Sequence, residues 1–261
     1  MKKKPKVIVL RTAGTNCDIE TAHAFTLCGA SAELVHINEL SRRDKYLKDY
    51  QILAVPGGFT YGDDIASGKI LANEVKYSLG EELKDFIKDG KLIIGICNGF
   101  QVLVKAGILP GLNGNDISAS LSFNDSGKFE ARWTYLATSH KPQATSCAWT
   151  RGLKKIIYLP VAHGEGNFIL KDKKALKKNQ IIFQYVDEKG RKAGYPYNPN
   201  GSFENIAGIC DPTGRVLGMM PHPERHILGT QHPRWTREGL KRFGDGLQIF
   251  KNGVTYIKEK F

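Results

Sequence analysis

The run Lys91-Leu92-Ile93-Ile94-Gly95-Ile96 passes directly into Cys97-Asn98-Gly99 and then into Phe100-Gln101-Val102-Leu103-Val104-Lys105-Ala106, and this stretch constrains the chain most. The apolar run reads as a buried strand and the segment after it as a helix. Nothing separates the two, so the chain must go from strand to helix in one tight turn, with small residues two places either side of Cys97. A thiol at a helix start feels the positive end of the helix dipole, which favours the thiolate. The competing reading is a small hydrophobe in a glycine-rich turn, since free cysteine is among the most buried residue types.

The arrangement resembles the Gly-x-Ser-x-Gly nucleophile elbow with sulfur in place of oxygen. A nucleophile needs a base, and Met220-Pro221-His222-Pro223-Glu224 offers one with a carboxylate beside it. Pro223 biases His222 away from helical geometry, and in an extended segment residues two apart project to the same side. Glu224 is thus placed to orient the His222 imidazole. Cys97, His222 and Glu224 make a Cys-His-acid triad, whose members need not be close in sequence.

Strand-like and helix-like stretches alternate around the elbow. Strands are predicted over residues 6–10, 32–36 and 51–55, a helix starts near Cys17, and a helix over residues 74–89 stops at Gly90. Such alternation implies right-handed βαβ units, a mostly parallel sheet with helices on both faces, and functional loops at the carboxyl ends of its strands. Residues 117–182 change character, with short β-type runs at 130–137 and 155–159 that predict antiparallel additions to the same sheet. Residues 206–210 and 216–220, joined by Asp211-Pro212-Thr213-Gly214, predict a hairpin whose end delivers His222. Residues 235–250 predict a terminal helix interrupted by Gly244 and Gly246. No linker or repeat marks a boundary, so one α/β domain over residues 1–261 is expected.

With 38 basic against 26 acidic side chains the formal charge is +12, which raises an acidic partner as a question. The lysines are scattered, with no nucleic-acid motif or aromatic interleaving, so no nucleic acid is expected. The apolar run Val7-Ile8-Val9-Leu10 is too short for a signal-peptide core, and no run approaches membrane-spanning length. Cys17, Cys28, Cys97, Cys147 and Cys210 form no Cys-x-x-Cys pair, and an odd number in a chain this size suits a reducing compartment. A soluble cytoplasmic protein follows as the expectation.

Three further motifs bear on the site. Pro56-Gly57-Gly58-Phe59 follows a predicted strand, and an amide of Gly57 or Gly58, with that of Asn98, is placed to stabilise a tetrahedral oxyanion. His163-Gly164-Glu165-Gly166 is a second histidine–glutamate pair, read as substrate-side or structural; no third ligand at a familiar spacing accompanies it, so no metal is expected. Cys17 also sits near a predicted helix start, but it lacks small residues on both sides, so Cys97 is the better nucleophile.

Taken together the chain resembles the class I, triad-type glutamine amidotransferases, and more narrowly the glutaminase-subunit family of phosphoribosylformylglycinamidine synthase. The resemblance rests on five ordered motifs: Pro56-Gly57-Gly58-Phe59 with Tyr61-Gly62-Asp63, Gly95 to Gln101, His163-Gly164-Glu165-Gly166, Asn198-Pro199-Asn200-Gly201-Ser202, and Met220 to Arg225. It implies a flavodoxin-like amidotransferase domain in which Cys97 attacks the side-chain amide of glutamine, His222 moves the proton and Glu224 holds and charge-balances the imidazole. Phe59, Gln101, His163 and Glu165 would line the substrate side. It further implies no cofactor in this subunit, ATP and Mg in a partner synthetase subunit, and a small bridging subunit between the two. The ammonia would pass to the synthetase, which converts formylglycinamide ribonucleotide to the amidine in purine synthesis.

Two features depart from that pattern: residues 231–261 extend beyond where shorter relatives stop, and Asp64-Ile65-Ala66-Ser67-Gly68 differs from the family's more hydrophobic loop. Rival readings are a cysteine peptidase or hydrolase on the same scaffold, and a non-catalytic module that recruits a synthetase.

Overall fold

The computed structural model describes residues 3–111, 118–139 and 147–261. In chain order, its first half contains β1 (Lys6–Arg11), α1 (Asp18–Leu27), β2 (Ser31–His36), α2 (Ile37–Ser41), β3 (Ile52–Val55), α3 (Lys69–Lys88), β4 (Leu92–Ile96) and α4 (Asn98–Lys105). The second half contains β5 (Ala119–Ser122), β6 (Glu130–Thr138), β7 (Ile156–His163), β8 (Asn167–Leu170), β9 (Ile181–Val186), β10 (Ile206–Cys210), β11 (Val216–Met219), α5 (Trp235–Glu238) and α6 (Leu247–Lys260).

Nine strands form one sheet in the order β2-β1-β3-β4-β11-β10-β9-β6-β7. The pairs among β2, β1, β3, β4 and β11 are parallel, and those from β11 onward are antiparallel. Every residue of β3 and β4 is buried. Strands covered on both faces must be apolar throughout, which is why these segments read as continuous hydrophobic runs rather than alternating ones. Helix α1 packs with α6, and α3 with α4. Helix α4 buries all but Lys105 and lies so close to the sheet that a Cβ on Gly218 would stand 2.1 Å from the Phe100 ring.

Two arrangements position the loops. Next to the point where the strand order reverses between β1 and β3, the loops after them are laced together. The Asn16 and Cys17 amides donate to the Gly57 carbonyl at 3.4 and 3.2 Å, and the Phe59 amide donates to the Gly14 carbonyl at 2.9 Å. At the other end of the sheet, β7 is the edge strand, paired on one side with β6 through Glu130↔His163 to Ala137↔Ile156.

The structure corrects several sequence expectations. The strand expected to stop at Leu159 continues through Pro160 to His163, because proline is tolerated on an edge where no partner needs its missing N–H. The expected helix over 74–89 begins at Lys69, after Gly68 in a left-handed conformation at φ 73°. Strands β5 and β8 pair with each other in a separate two-stranded sheet instead of joining the main one. The terminal helix expected over 235–250 is two pieces, α5 and α6. Between them Gly244 and Gly246 lie flat against the His226 and Pro223 backbone, where a Cβ would come to 2.2 and 2.0 Å of the carbonyl oxygens. The glycines that interrupt the helical pattern thus serve a close backbone approach. The expected onset of the β-rich half at Ile117, and Met1-Lys2 of the basic start, lie outside the described residues.

Candidate active site

Cys97 occupies the strand-to-helix turn at φ 51° and ψ −107°. A positive φ is unfavourable for a residue with a Cβ and costs about 1–3 kcal/mol, so the surroundings must hold it there. They do so by close packing. A Cβ on Gly99 would stand 1.8 Å from the Val55 carbonyl oxygen, and one on Gly95 would stand 2.6 Å from the Gly99 oxygen. The Cys97 amide is tied to the Met219 carbonyl at 2.8 Å, continuing the β4–β11 register of Ile96 opposite Met219. Cys97 is buried.

That register sets the histidine. Three residues past Met219 the chain places His222 in an extended conformation, and Pro223 then opens a short 3-10 turn over Pro223–His226. Glu224 therefore lies in a turn, not in the extended segment expected from the Pro223 bias. It still reaches the imidazole, with His222 Nδ1 and Glu224 Oε1 2.6 Å apart, and both side chains are buried. The carboxylate can only accept, so Nδ1 carries the hydrogen and Nε2 is left as the basic nitrogen. Among the described residues Nε2 has no partner. Burial works to lower the His222 pKa, but the Glu224 carboxylate beside it, with the interactions of the Cys97 and Cys17 side chains, outweighs burial and lifts the group well above the usual imidazole range.

The free edge of β7 brings cysteine and histidine to one place. In an antiparallel strand, N–H and C=O of alternate residues point to the same side. On β7 the outward carbonyls are those of Tyr158, Pro160 and Ala162. They receive His226 Nδ1 at 2.7 Å, the His222 amide at 2.8 Å and Cys97 Sγ at 3.5 Å in turn. An expectation based on spacing alone had no access to this edge; its one signal in the sequence is the proline within a strand-like run.

Gly57 lies against the imidazole, where a Cβ would stand 2.8 Å from His222 Cε1. The amide of Asn98 belongs to the first turn of α4, whose amides have no carbonyl within the helix. The Asn98 side chain is occupied: it accepts from Thr60 Oγ1 at 2.7 Å and donates to Gln101 Oε1 at 2.9 Å. Gln101 donates in turn to the Glu165 carbonyl oxygen. The Glu165 carboxylate accepts from the Ser67 amide at 3.2 Å and lies 3.3 Å from Lys105 Nζ. Gln101 and Glu165 thus tie the elbow helix to neighbouring loops. Phe59 is 44% exposed and lies 6.2 Å from the Phe129 ring.

Two buried groups join the triad. His163 is pushed down to about 3, by burial and by the charge of His222. Cys17, set aside on sequence grounds as a nucleophile, lies behind the His222 imidazole, with Sγ 3.9 Å from His222 Nδ1 and 3.1 Å from Arg225 Nη2. Burial pushes its thiol up to about 11, so it stays protonated near neutral pH. Cys17, His222 and Glu224 offer donor atoms within 4.8 Å of one another. However, Nδ1 is committed to Glu224, and the Arg225 cation stands beside the sulfur. Among the described residues no helix is long and apolar enough to cross a membrane.

Comparison with known proteins gives the chain a family and relatives. Residues 4–257 match the family model of the CobB/CobQ-like glutamine amidotransferase domain. A phosphoribosylformylglycinamidine synthase subunit PurQ of Dehalococcoides mccartyi is 52% identical, over 98% of this chain and 99% of its own. One from Archaeoglobus fulgidus is 45% identical, over 99% of each. These relatives match this chain along nearly all of its length. Among solved structures, PurLQS from Thermotoga maritima superposes with a TM-score of 0.75 at 30% identity, covering 98% of this chain and 100% of the matched one. A glutamine amidotransferase from Thermotoga maritima, at 15% identity and a TM-score of 0.55, shares the fold.

Proposed function

The chain belongs to the CobB/CobQ-like glutamine amidotransferase family, and on that premise we propose that it is the glutaminase subunit of a phosphoribosylformylglycinamidine synthase. It hydrolyses glutamine to glutamate and ammonia and delivers the ammonia to a synthetase subunit in purine synthesis. The relatives named as this subunit along the whole chain support the assignment, as does the matched PurLQS structure.

Cys97, His222 and Glu224 carry the chemistry. His222 Nε2 takes the thiol proton and Cys97 Sγ attacks the carboxamide carbon of glutamine. The negative oxygen that forms is held by the amide of Gly57 or Gly58 together with that of Asn98. His222 returns its proton to the departing nitrogen, so ammonia leaves and a γ-glutamyl thioester remains. A water molecule, deprotonated by the same nitrogen, attacks the thioester, and glutamate leaves as Cys97 regains its proton. Glu224 does not itself take a proton; it fixes the tautomer and stabilises the imidazolium. Phe59, Gln101, His163 and Glu165 form the surrounding wall.

The protein works as one amidotransferase domain in the cytoplasm and carries no cofactor of its own. ATP and Mg belong to the synthetase, which a small third subunit joins to this one. Delivery within a complex has a chemical reason: ammonia released into neutral water is mostly protonated and is no longer a nucleophile.

The observation that carries this reading is the His222–Glu224 contact of 2.6 Å on the same strand edge that receives the Cys97 sulfur. Glutamate release by wild type and Cys97→Ala, each with and without the synthetase, tests it. Wild type should be activated by the partner and Cys97→Ala should be silent; equal rates from the two would end the proposal.

A further inference from the structure

His163 is buried beside the triad, and its hydrogen-bonding state is settled by its neighbours. Asn124 Nδ2 donates to the carbonyls of Lys128 and His163, each at 2.8 Å, which fixes the direction of that amide. Its oxygen accepts from the Gly166 amide at 3.0 Å and faces His163 Nδ1 at 3.0 Å. Two acceptors cannot bond each other, so Nδ1 carries the ring hydrogen and Nε2 is a bare acceptor. Among the described residues that Nε2 is buried without a partner. A buried acceptor left unpaired is costly, and a hydrophobic ring of similar size would avoid the cost.

Its surroundings place it at the reaction. His163 follows Ala162, whose carbonyl takes Cys97 Sγ at 3.5 Å. The ring packs on Gly166, where a Cβ would stand 2.4 Å from His163 Cε1 and 2.8 Å from Asn200 Nδ2. Asn200 in turn donates to Tyr185 at 3.3 Å, and both residues are fully buried. His163, Asn200 and Tyr185 thus form a buried polar cluster that begins one residue past the carbonyl receiving the Cys97 sulfur.

We propose that His163 Nε2 accepts the N–H of the substrate carboxamide and then of the ammonia formed from it, as a neutral acceptor at the leaving-group side. This rests on the glutaminase reading above. The role moves no proton: the hydrogen that completes ammonia comes from His222, and His163 supplies only a lone pair. The suppressed basicity of His163 suits that role, because an imidazolium at this point would convert ammonia to ammonium.

Glutamic acid γ-methyl ester forms the same thioester with Cys97 but has no N–H on its leaving group. The test compares kcat/KM for glutamine and for this ester in wild type, His163→Phe and His163→Gln, each assembled with the synthetase. Loss of the acceptor should lower glutamine turnover about tenfold or more while ester turnover stays within about twofold. His163→Gln, whose side-chain oxygen can accept, should recover part of the loss. Both substrates are read in one preparation, so a partly folded sample cancels in their ratio. Parallel losses on both substrates, or no loss on either, would overturn the inference. If wild type hydrolyses neither, or Cys97→Ala hydrolyses both, the glutaminase reading itself has failed.

Discussion

His222 donates its backbone amide to the Pro160 carbonyl at 2.8 Å, and through that bond the proposed base is hung from the edge of a strand that also receives the Cys97 sulfur. Two residues further along β7, Ala162 receives the Cys97 sulfur. Cys97 and His222 follow different strands of the sheet, yet both are registered on one piece of backbone. Side chains locked by a rigid element hold reactive geometry better than loops alone.

Replacing Glu224 with glutamine should leave the fold intact and lower glutaminase turnover by about a hundredfold to ten-thousandfold, as the imidazole loses its anionic partner. The sign of the accompanying titration follows from the charge removed. Glu224 raises the His222 pKa, so the His222 resonance of the variant should titrate at lower pH. An NMR titration that moved upward, or stayed in place, would contradict the assigned role.

Gly57→Ala tests the packing behind the imidazole. The added methyl would meet His222 Cε1 at 2.8 Å and Cys17 Sγ at 3.0 Å. Overpacking of this kind costs about 1–3 kcal/mol. Here it also displaces the His222 ring from its seat, so kcat should fall by about tenfold or more, a loss larger than any change in denaturation midpoint would account for. Unchanged steady-state kinetics would mean that the ring is not held at this contact.

Cys17 and Cys97 should differ sharply towards alkylating agents. Cys17 is held as a thiol up to about pH 11 and is buried, and the thiolate is the species that reacts. Peptide mapping after brief iodoacetamide treatment near neutral pH should find Cys97 modified and Cys17 untouched. In Cys97→Ala, Cys17 should still be spared; rapid labelling of it would refute the description of its surroundings.

His163 predicts an acid-side loss of stability. Its folded pKa is pushed down to about 3, from 6.5 when unperturbed. Between those values the unfolded chain binds a proton that the folded chain refuses, so stability falls as pH is lowered through that window. The slope from this one group is about 1.4 kcal/mol per pH unit. Chemical denaturation at several pH values should show a shallower acid-side decline for His163→Gln than for wild type. Identical slopes would place the titration elsewhere.

Much of the parallel half was legible because its strands are buried on both faces and must be apolar throughout, as in Leu92 to Ile96. The elbow was legible for a related reason: Gly95 and Gly99 stand where a Cβ cannot fit, and such positions leave their mark in the residue itself. Pro160 misled the reading of β7, because a proline inside an apolar run signals a stop unless the strand is known to lie on an edge. Gly244 and Gly246 misled it too, appearing as flaws in a helix when they are contacts with the histidine turn. Cys17 was passed over as nucleophile for want of small neighbours, and its place behind His222 depends on the lacing of two loops that no local pattern reports.

The order of residues by itself determined the strand-turn-helix that displays Cys97, the proximity of His222 to Glu224, and the family. These depend on neighbours in the chain, on steric limits and on the spacing of apolar side chains. Only the tertiary structure decided that the edge of β7 receives both the sulfur and the histidine segment, that Gln101 and Glu165 are tied into the supporting network, and that the buried His163 keeps a bare nitrogen. Those outcomes are distances between segments far apart in sequence, set by sheet register and by which backbone groups remain unpaired.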